Sequence, residues 1–183
     1  MDKEKIENLI LQQLIEIGED PSREGLENTP KRVAKSFEKL FSGYEKDPTD
    51  FITKFDGENY DEMIICKNIN FYSTCEHHML PFFGKMQIGY IPNDKIIGIS
   101  KIPRIVEIFS RRLQNQERLT MQIAKNLNKL LNPKGVGIVI EGRHLCMMAR
   151  GVEKQNTIMT TSSFKGIFKE NSKTRSEFLR LIE

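Results

Sequence analysis

All three histidines of this chain and two of its three cysteines fall in two short segments, Cys75-Glu76-His77-His78 and His144-Leu145-Cys146. Thiolates and imidazoles gathered this way suit zinc better than calcium or magnesium, which prefer oxygen. Cys75 and His78 stand three apart, so a turn can aim both at one ion. His77 and His78 are adjacent, and adjacent side chains normally diverge; with His78 as ligand, His77 is left free to move protons. Side chains alternate along an extended strand, which puts His144 and Cys146 on one face with Val136, Ile138 and Ile140. One of the two can complete the metal shell while the other stands nearby, and spacing alone does not choose. A Cys-His-Cys set leaves the fourth tetrahedral position open, as in a catalytic zinc site. If His144, His77 or Cys66 filled that position, the ion would be only a staple. Imidazoles left free beside the ion titrate near neutrality and can serve as general acid and base.

A second group of residues suggests an anion. Ser100-Lys101-Ile102-Pro103-Arg104 opens a helix, where unpaired backbone N–H groups, Lys101 and Arg104 could receive a phosphate chain. Gln116-Glu117 opens the next helix. Glu117 can cap that helix or accept paired N–H donors from a guanine-like edge. Arg150 follows the metal segment closely and adds another cation. Lys101, Arg104, Arg111, Arg112 and Arg118 can equally form a solvated helix face.

The elements that must carry these residues follow from periodicity. Ile6, Leu9, Ile10, Leu14 and Ile15 recur at helical spacing, and that helix ends at Gly18. Thr29-Pro30 offers an N-cap followed by proline in the first turn of a second helix, with Val33, Ala34, Phe37, Leu40 and Phe41 as its apolar stripe. Residues 45–60 lack a period and read as a linker. Residues 63–72 and 83–92 read as strands flanking the Cys-His loop. Two helices follow, carrying Ile102, Ile105, Val106 and Phe109, then Leu119, Ile123, Ala124, Leu127 and Leu130. Residues 136–146 form a strand with 156–164 as antiparallel partner, and Ser172 caps a last helix. The order is α-α, β-β-α-α-β-β, α: an α+β fold with an antiparallel sheet. It divides into a helical region and linker, 1–60, and a catalytic domain, 61–183.

Composition narrows the class. A chain of 183 residues with 38% hydrophobic and 29% charged residues is globular and large enough for a real core. No apolar run approaches the roughly 18 residues of a membrane span, and the start MDKEKIENLI is not a secretory signal. Three cysteines, an odd number, point to a reducing, cytoplasmic setting rather than a disulfide framework, with Cys66 a buried strand residue. The net charge of +3 does not by itself imply nucleic acid, and an RNA surface would need aromatic platforms that the basic stretch lacks.

Several of these segments together resemble the GTP cyclohydrolase I family: Ser73-Thr74-Cys75-Glu76-His77-His78, Gly89-Tyr90-Ile91-Pro92, Ser100-Lys101-Ile102, Gln116-Glu117-Arg118-Leu119-Thr120, and His144-Leu145-Cys146-Met147 with Ala149-Arg150-Gly151. Arg23-Glu24-Gly25-Leu26 and Thr29-Pro30-Lys31-Arg32-Val33 extend the likeness toward the N-terminus. The resemblance implies the tunnelling fold, assembled as a homodecamer with sites between subunits. It also implies hydrolysis of GTP to formate and 7,8-dihydroneopterin triphosphate, with water activated by zinc. Carried onto matching positions, Cys75, His78 and Cys146 bind zinc, and His77 and His144 handle protons. Gln116 and Glu117 hold guanine, while Ser100, Lys101, Arg104 and Arg150 face the ribose and triphosphate. Arg32 and Lys35 match positions that reach phosphate from a neighbouring subunit. Pro103, Asn115 and Gly142-Arg143 depart from the family's usual residues, Asn115 being nearest the guanine pocket. The alternative is a zinc-stapled nucleotide-binding module that kept the fold without turnover.

Overall fold

A computed structural model describes residues 1–183 and divides them into two units, 1–42 and 43–183. The first unit is a helix pair, α1 (Lys3–Glu16) and α2 (Thr29–Leu40). Asp2 caps α1 by accepting the backbone N–H of Lys5 at 3.2 Å. Thr29 is not the cap expected of it. Its hydroxyl donates back to the Gly25 carbonyl, and the cap position falls to Asn28.

The second unit begins earlier than the sequence suggested, because residues 43–60 are tied into it. Strand β1 (Lys54–Asp56) pairs with a later short strand, Arg112 Nε donates to the Gly43 carbonyl, and the Tyr44 hydroxyl accepts from Leu113 N. None of these pairings has a local hydrophobic period, so a periodicity reading sees only linker. The remaining elements are β2 (Ile64–Cys75), β3 (Pro81–Ile91), β4 (Lys95–Ile97, the partner of β1), α3 (Lys101–Ser110), β5 (Leu113–Gln114), α4 (Gln116–Leu131), β6 (Gly135–His144), α5 (Leu145–Met148), β7 (Met159–Gly166), α6 (Ile167–Glu170) and α7 (Ser172–Ile182). Ser172 is the first residue of α7 rather than its cap; Asn171 caps it, accepting from Lys173 N and Thr174 N.

The main sheet has the order β5-β2-β3-β6-β7, antiparallel throughout except for the short parallel pairing of β5 with β2. Stripped of its short additions it is the β-β-α-α-β-β unit of an α+β tunnelling fold. The helix-covered face buries Phe82, Met86, Ile88 and Tyr90 of β3 and Val136, Ile138 and Ile140 of β6 against Ile105, Leu119, Ile123 and Leu127. Full burial of each such side chain contributes about 1.5–3 kcal/mol. Part of the opposite face is covered by Phe168 and Phe178, packed with Val139, Ile65 and Phe164.

One irregularity places the site. Strand β2 carries a β-bulge between Cys66 and Ile69, where Asn68 takes a left-handed φ of 57° and its N–H is held by Gln87 Oε1 at 2.7 Å. A one-residue insertion exchanges the two faces of a strand. Ile64 and Cys66 before the bulge, and Ile69, Phe71 and Cys75 after it, therefore all pack toward the same core. Unbulged alternation from Cys66 would turn Cys75 to the other face.

Candidate metal centre and proton-transfer site

The loop after β2 is short and closed. Cys75 N donates to Leu80 O, Met79 N to Cys75 O, and Glu76 N to Gln114 O, at 2.8, 2.8 and 3.0 Å. Met79 turns the chain with a φ of 55°. The loop's base thus rests on β5 and the first turn of α4. Glu76 reinforces this: its carboxylate accepts from Asn115 Nδ2 at 3.0 Å and from the Arg118 guanidinium, and Arg118 holds that carboxyl below its usual range. Asn115 also caps α4, accepting from Arg118 N at 2.8 Å. Asn115 is therefore a strut between the loop and α4.

Cys146 arrives from the other side. Strand β6 ends at His144, and Cys146 sits on the helical turn α5 rather than on the strand, as alternation had suggested. Leaving the strand lets the chain carry Cys146 toward Cys75 while His144 keeps its strand position opposite Phe82. The ligand atoms of Cys75, His78 and Cys146 lie within 4.8 Å of one another, with Cys75 Sγ 3.9 Å from His78 Nδ1. Cys146 joins the cluster and His144 does not. His77 diverges less than expected, since its Nδ1 stands 3.8 Å from Cys75 Sγ, but it is not part of the three-residue group.

The donor set fits a divalent ion. Burial pushes the Cys146 thiol above its ordinary pKa, and the neighbouring Cys75 thiol pushes it further. The Cys146 thiol shares a partly buried place with a second thiol, which disfavours its thiolate form, and a cation reverses this by binding both sulfurs as thiolates. Two sulfurs and one imidazole nitrogen suit zinc, and three protein ligands match the pattern that keeps a position open. Cys66 lies elsewhere on β2, half-buried against the core with its thiol raised by burial.

His144 is held by two contacts. Its ring stacks on Phe82 with centroids 4.6 Å apart and planes at 6°. Its Nε2 meets Gln116 Oε1 at 2.9 Å. Burial lowers its pKa, against an opposing pull from Glu117. Gln116 itself is completely buried, and its Nε2 donates toward Met159 O, Ile140 O and Thr161 Oγ1 at 2.8, 3.2 and 3.1 Å. Its donors are thus engaged within the sheet. Glu117, by contrast, is exposed beside it.

Three of the other expected substrate residues, Ser100, Lys101 and Arg104, are separated from the cluster within one chain. Ser100 and Arg104 are exposed and Lys101 half-buried at the N-terminal end of α3, whose C-terminal end leads through β5 to Cys75. A ten-residue helix spans about 15 Å. The same separation shows along the sheet. Lys101 N bonds Gly98 O, next to Ile97, whose N–H is held by the Tyr90 hydroxyl. Tyr90 and Phe82, the partner of His144, are about 27 Å apart along β3. Arg150 is exposed just after α5, close enough to favour the Cys146 thiolate. Arg32 and Lys35 are exposed on α2 of the first unit. Sequence reasoning missed Asn68, Asn115 and Gly142 as site-building residues. The departures at Asn115 and Gly142 were the visible signals.

Comparison with known proteins is consistent across nearly the whole chain. Residues 6–183 match the GTP cyclohydrolase I family. The chain is 59% identical over 167 residues to the GTP cyclohydrolase 1 of Chlorobaculum tepidum, covering 91% of this chain and 75% of that protein. It is 56% identical over 178 residues to the GTP cyclohydrolase 1 of Leptospira biflexa, covering 97% of each. Against the GTP cyclohydrolase 1 of Methylococcus capsulatus it is 55% identical over 179 residues, covering 97% and 96%.

Proposed function

Because this chain belongs to the GTP cyclohydrolase I family and is an enzyme of that kind, we propose that it converts GTP and water to formate and 7,8-dihydroneopterin triphosphate, the entry step of tetrahydrofolate-type pterin synthesis, with zinc held by Cys75, His78 and Cys146. The observation that carries this reading is the convergence of those three ligand atoms within 4.8 Å. When bound, the ion lowers the pKa of water and supplies a nucleophile near neutral pH.

The remaining work falls to the chain. Glu117, exposed at the start of α4, accepts the N–H donors of the guanine edge. His144, whose pKa burial lowers, takes up and returns protons as the imidazole ring opens and formate leaves. His77 is the second proton carrier, exposed at the loop tip. Ser100, Lys101, Arg104 and Arg150 face the ribose and triphosphate, and Arg32 and Lys35 reach the phosphates. The separation of the α3 N-terminus from the cluster supports a site completed between copies: the metal and base-binding residues come from one subunit and the α3 cations from a neighbour. A homodecamer ring provides such interfaces, and the cytoplasm keeps the three unpaired cysteines reduced.

The test is direct. The purified protein with zinc should release formate from GTP and yield a pteridine that fluoresces after oxidation, and a chelator should stop both. GTP binding without either product would support the module without turnover instead.

A further inference from the structure

The Gln116 carboxamide is the most completely buried polar group beside the proposed catalytic residues, and its surroundings dictate which way it points. Its nitrogen meets two backbone carbonyls, Met159 O and Ile140 O, which can only accept. Turning the amide over would set oxygen against oxygen at both. A hydroxyl relay agrees with this orientation: Gln116 Nε2 donates to Thr161 Oγ1, the Thr161 and Thr120 hydroxyls lie 2.7 Å apart, and Thr120 Oγ1 donates to Gln116 O at 2.6 Å. With the nitrogen so engaged, Oε1 faces His144 Nε2, and Oε1 can only accept. The hydrogen between them therefore belongs to His144 Nε2. A neutral imidazole carries one hydrogen, so Nδ1 bears the lone pair.

Gly142 makes the contact possible. A Cβ at that position would lie 2.3 Å from Gln116 Oε1, so any side chain there would drive the amide away from the ring. Stacking on Phe82 then fixes the plane in which Nδ1 is presented.

We infer that Gln116 is a positioning residue that locks His144 in its Nε2–H tautomer, making Nδ1 the atom that exchanges the proton during turnover. This rests on the proposed role of His144 as a proton carrier, and it replaces a base-binding role for the Gln116 side chain.

The experiment is solid-state 15N NMR of histidine-labelled, zinc-loaded protein without substrate at pH 8.5. Only three histidines contribute, and His144→Asn assigns the relevant pair of signals. The expected result is a protonated Nε2 and an unprotonated Nδ1 for His144. In Gln116→Met, which removes the acceptor, the two tautomers should mix. The kcat for formate release should then fall about 100-fold, within the range for general acid–base catalysis, with KM for GTP nearly unchanged. A protonated Nδ1 in the wild type overturns the inference, as does Gln116→Met with an unchanged tautomer, or with raised KM and preserved kcat. The wild-type spectrum decides the tautomer even if Gln116→Met fails to fold. Wild-type protein that releases no formate overturns the proposed function, whereas an active enzyme with His144 in the Nδ1–H form overturns only the inference.

Discussion

Two of the three glycines of strand β6, Gly137 and Gly142, lie on opposite faces, five residues apart, and each yields space to a side chain from elsewhere. At Gly137 the space is filled by the Phe168 ring, which a Cβ would meet at 2.6 Å. At Gly142 it is filled by the Gln116 carboxamide. Phe168 with Phe178 forms a dry, fully buried apolar cover. The other pocket is only partly buried and contains amide, hydroxyl and imidazole groups, each with a partner. The same backbone device serves packing in one place and orientation in the other. Apolar packing tolerates small movements at a cost in stability, whereas a directional hydrogen-bond network loses its function when one member shifts.

The largest expected contrast lies at the metal loop. Cys75→Ala should lose both the bound metal and formate release, while His77→Ala should keep the metal and lose about 100-fold or more in turnover. Metal content and formate measured on both variants decide the matter; equal metal loss would erase the division of roles. At the apolar pocket, Phe178→Ala should cost about 3–5 kcal/mol of stability, read by denaturant unfolding, with zinc still bound by the folded fraction. The glycines allow a finer comparison. Gly137→Ala should destabilise by about 1–3 kcal/mol through overpacking while activity per folded molecule is kept. Gly142→Ala should do the reverse, lowering kcat about 100-fold by misplacing the His144 partner with a smaller change in melting temperature. Matching profiles for the two variants would break the comparison.

The smallest effect belongs far from both pockets. The Glu58 backbone N–H, and then Lys95, hold the exposed Asp56 carboxyl below its usual pKa. A depressed carboxyl contributes stability above its unfolded pKa, about 3.9, and loses it as pH falls through the lower folded value. Asp56→Asn should therefore lower the melting temperature slightly at pH 7, and the difference should close toward pH 2 with activity at neutral pH unaffected.

Much of the site was legible before any coordinates. The clustering of histidine and cysteine marked the group that could hold a metal, and the helix periods of α3 and α4 were correct because each buries a continuous stripe on one face. What escaped were contacts without a local period: the pairing of β1 with β4, the two-residue β5, and the helical turn that carries Cys146 off its strand. The hydrogen-bond network of Gln116 escaped as well, because a polar side chain at a helix start gives no sign of its partners, and those partners lie 24 to 45 residues away.

The amino-acid order by itself determined which groups could do chemistry here: a scarce set of thiols and imidazoles, placed on elements whose periods were already set by apolar residues. Only the folded chain decided how they face one another. The bulge at Asn68 turns Cys75 to the core side, the turn after β6 brings Cys146 to it, and three acceptors on β6 and β7 choose the direction of one amide. The reason is that face, register and hydrogen-bond direction are relations between distant segments, and no single stretch of sequence contains them.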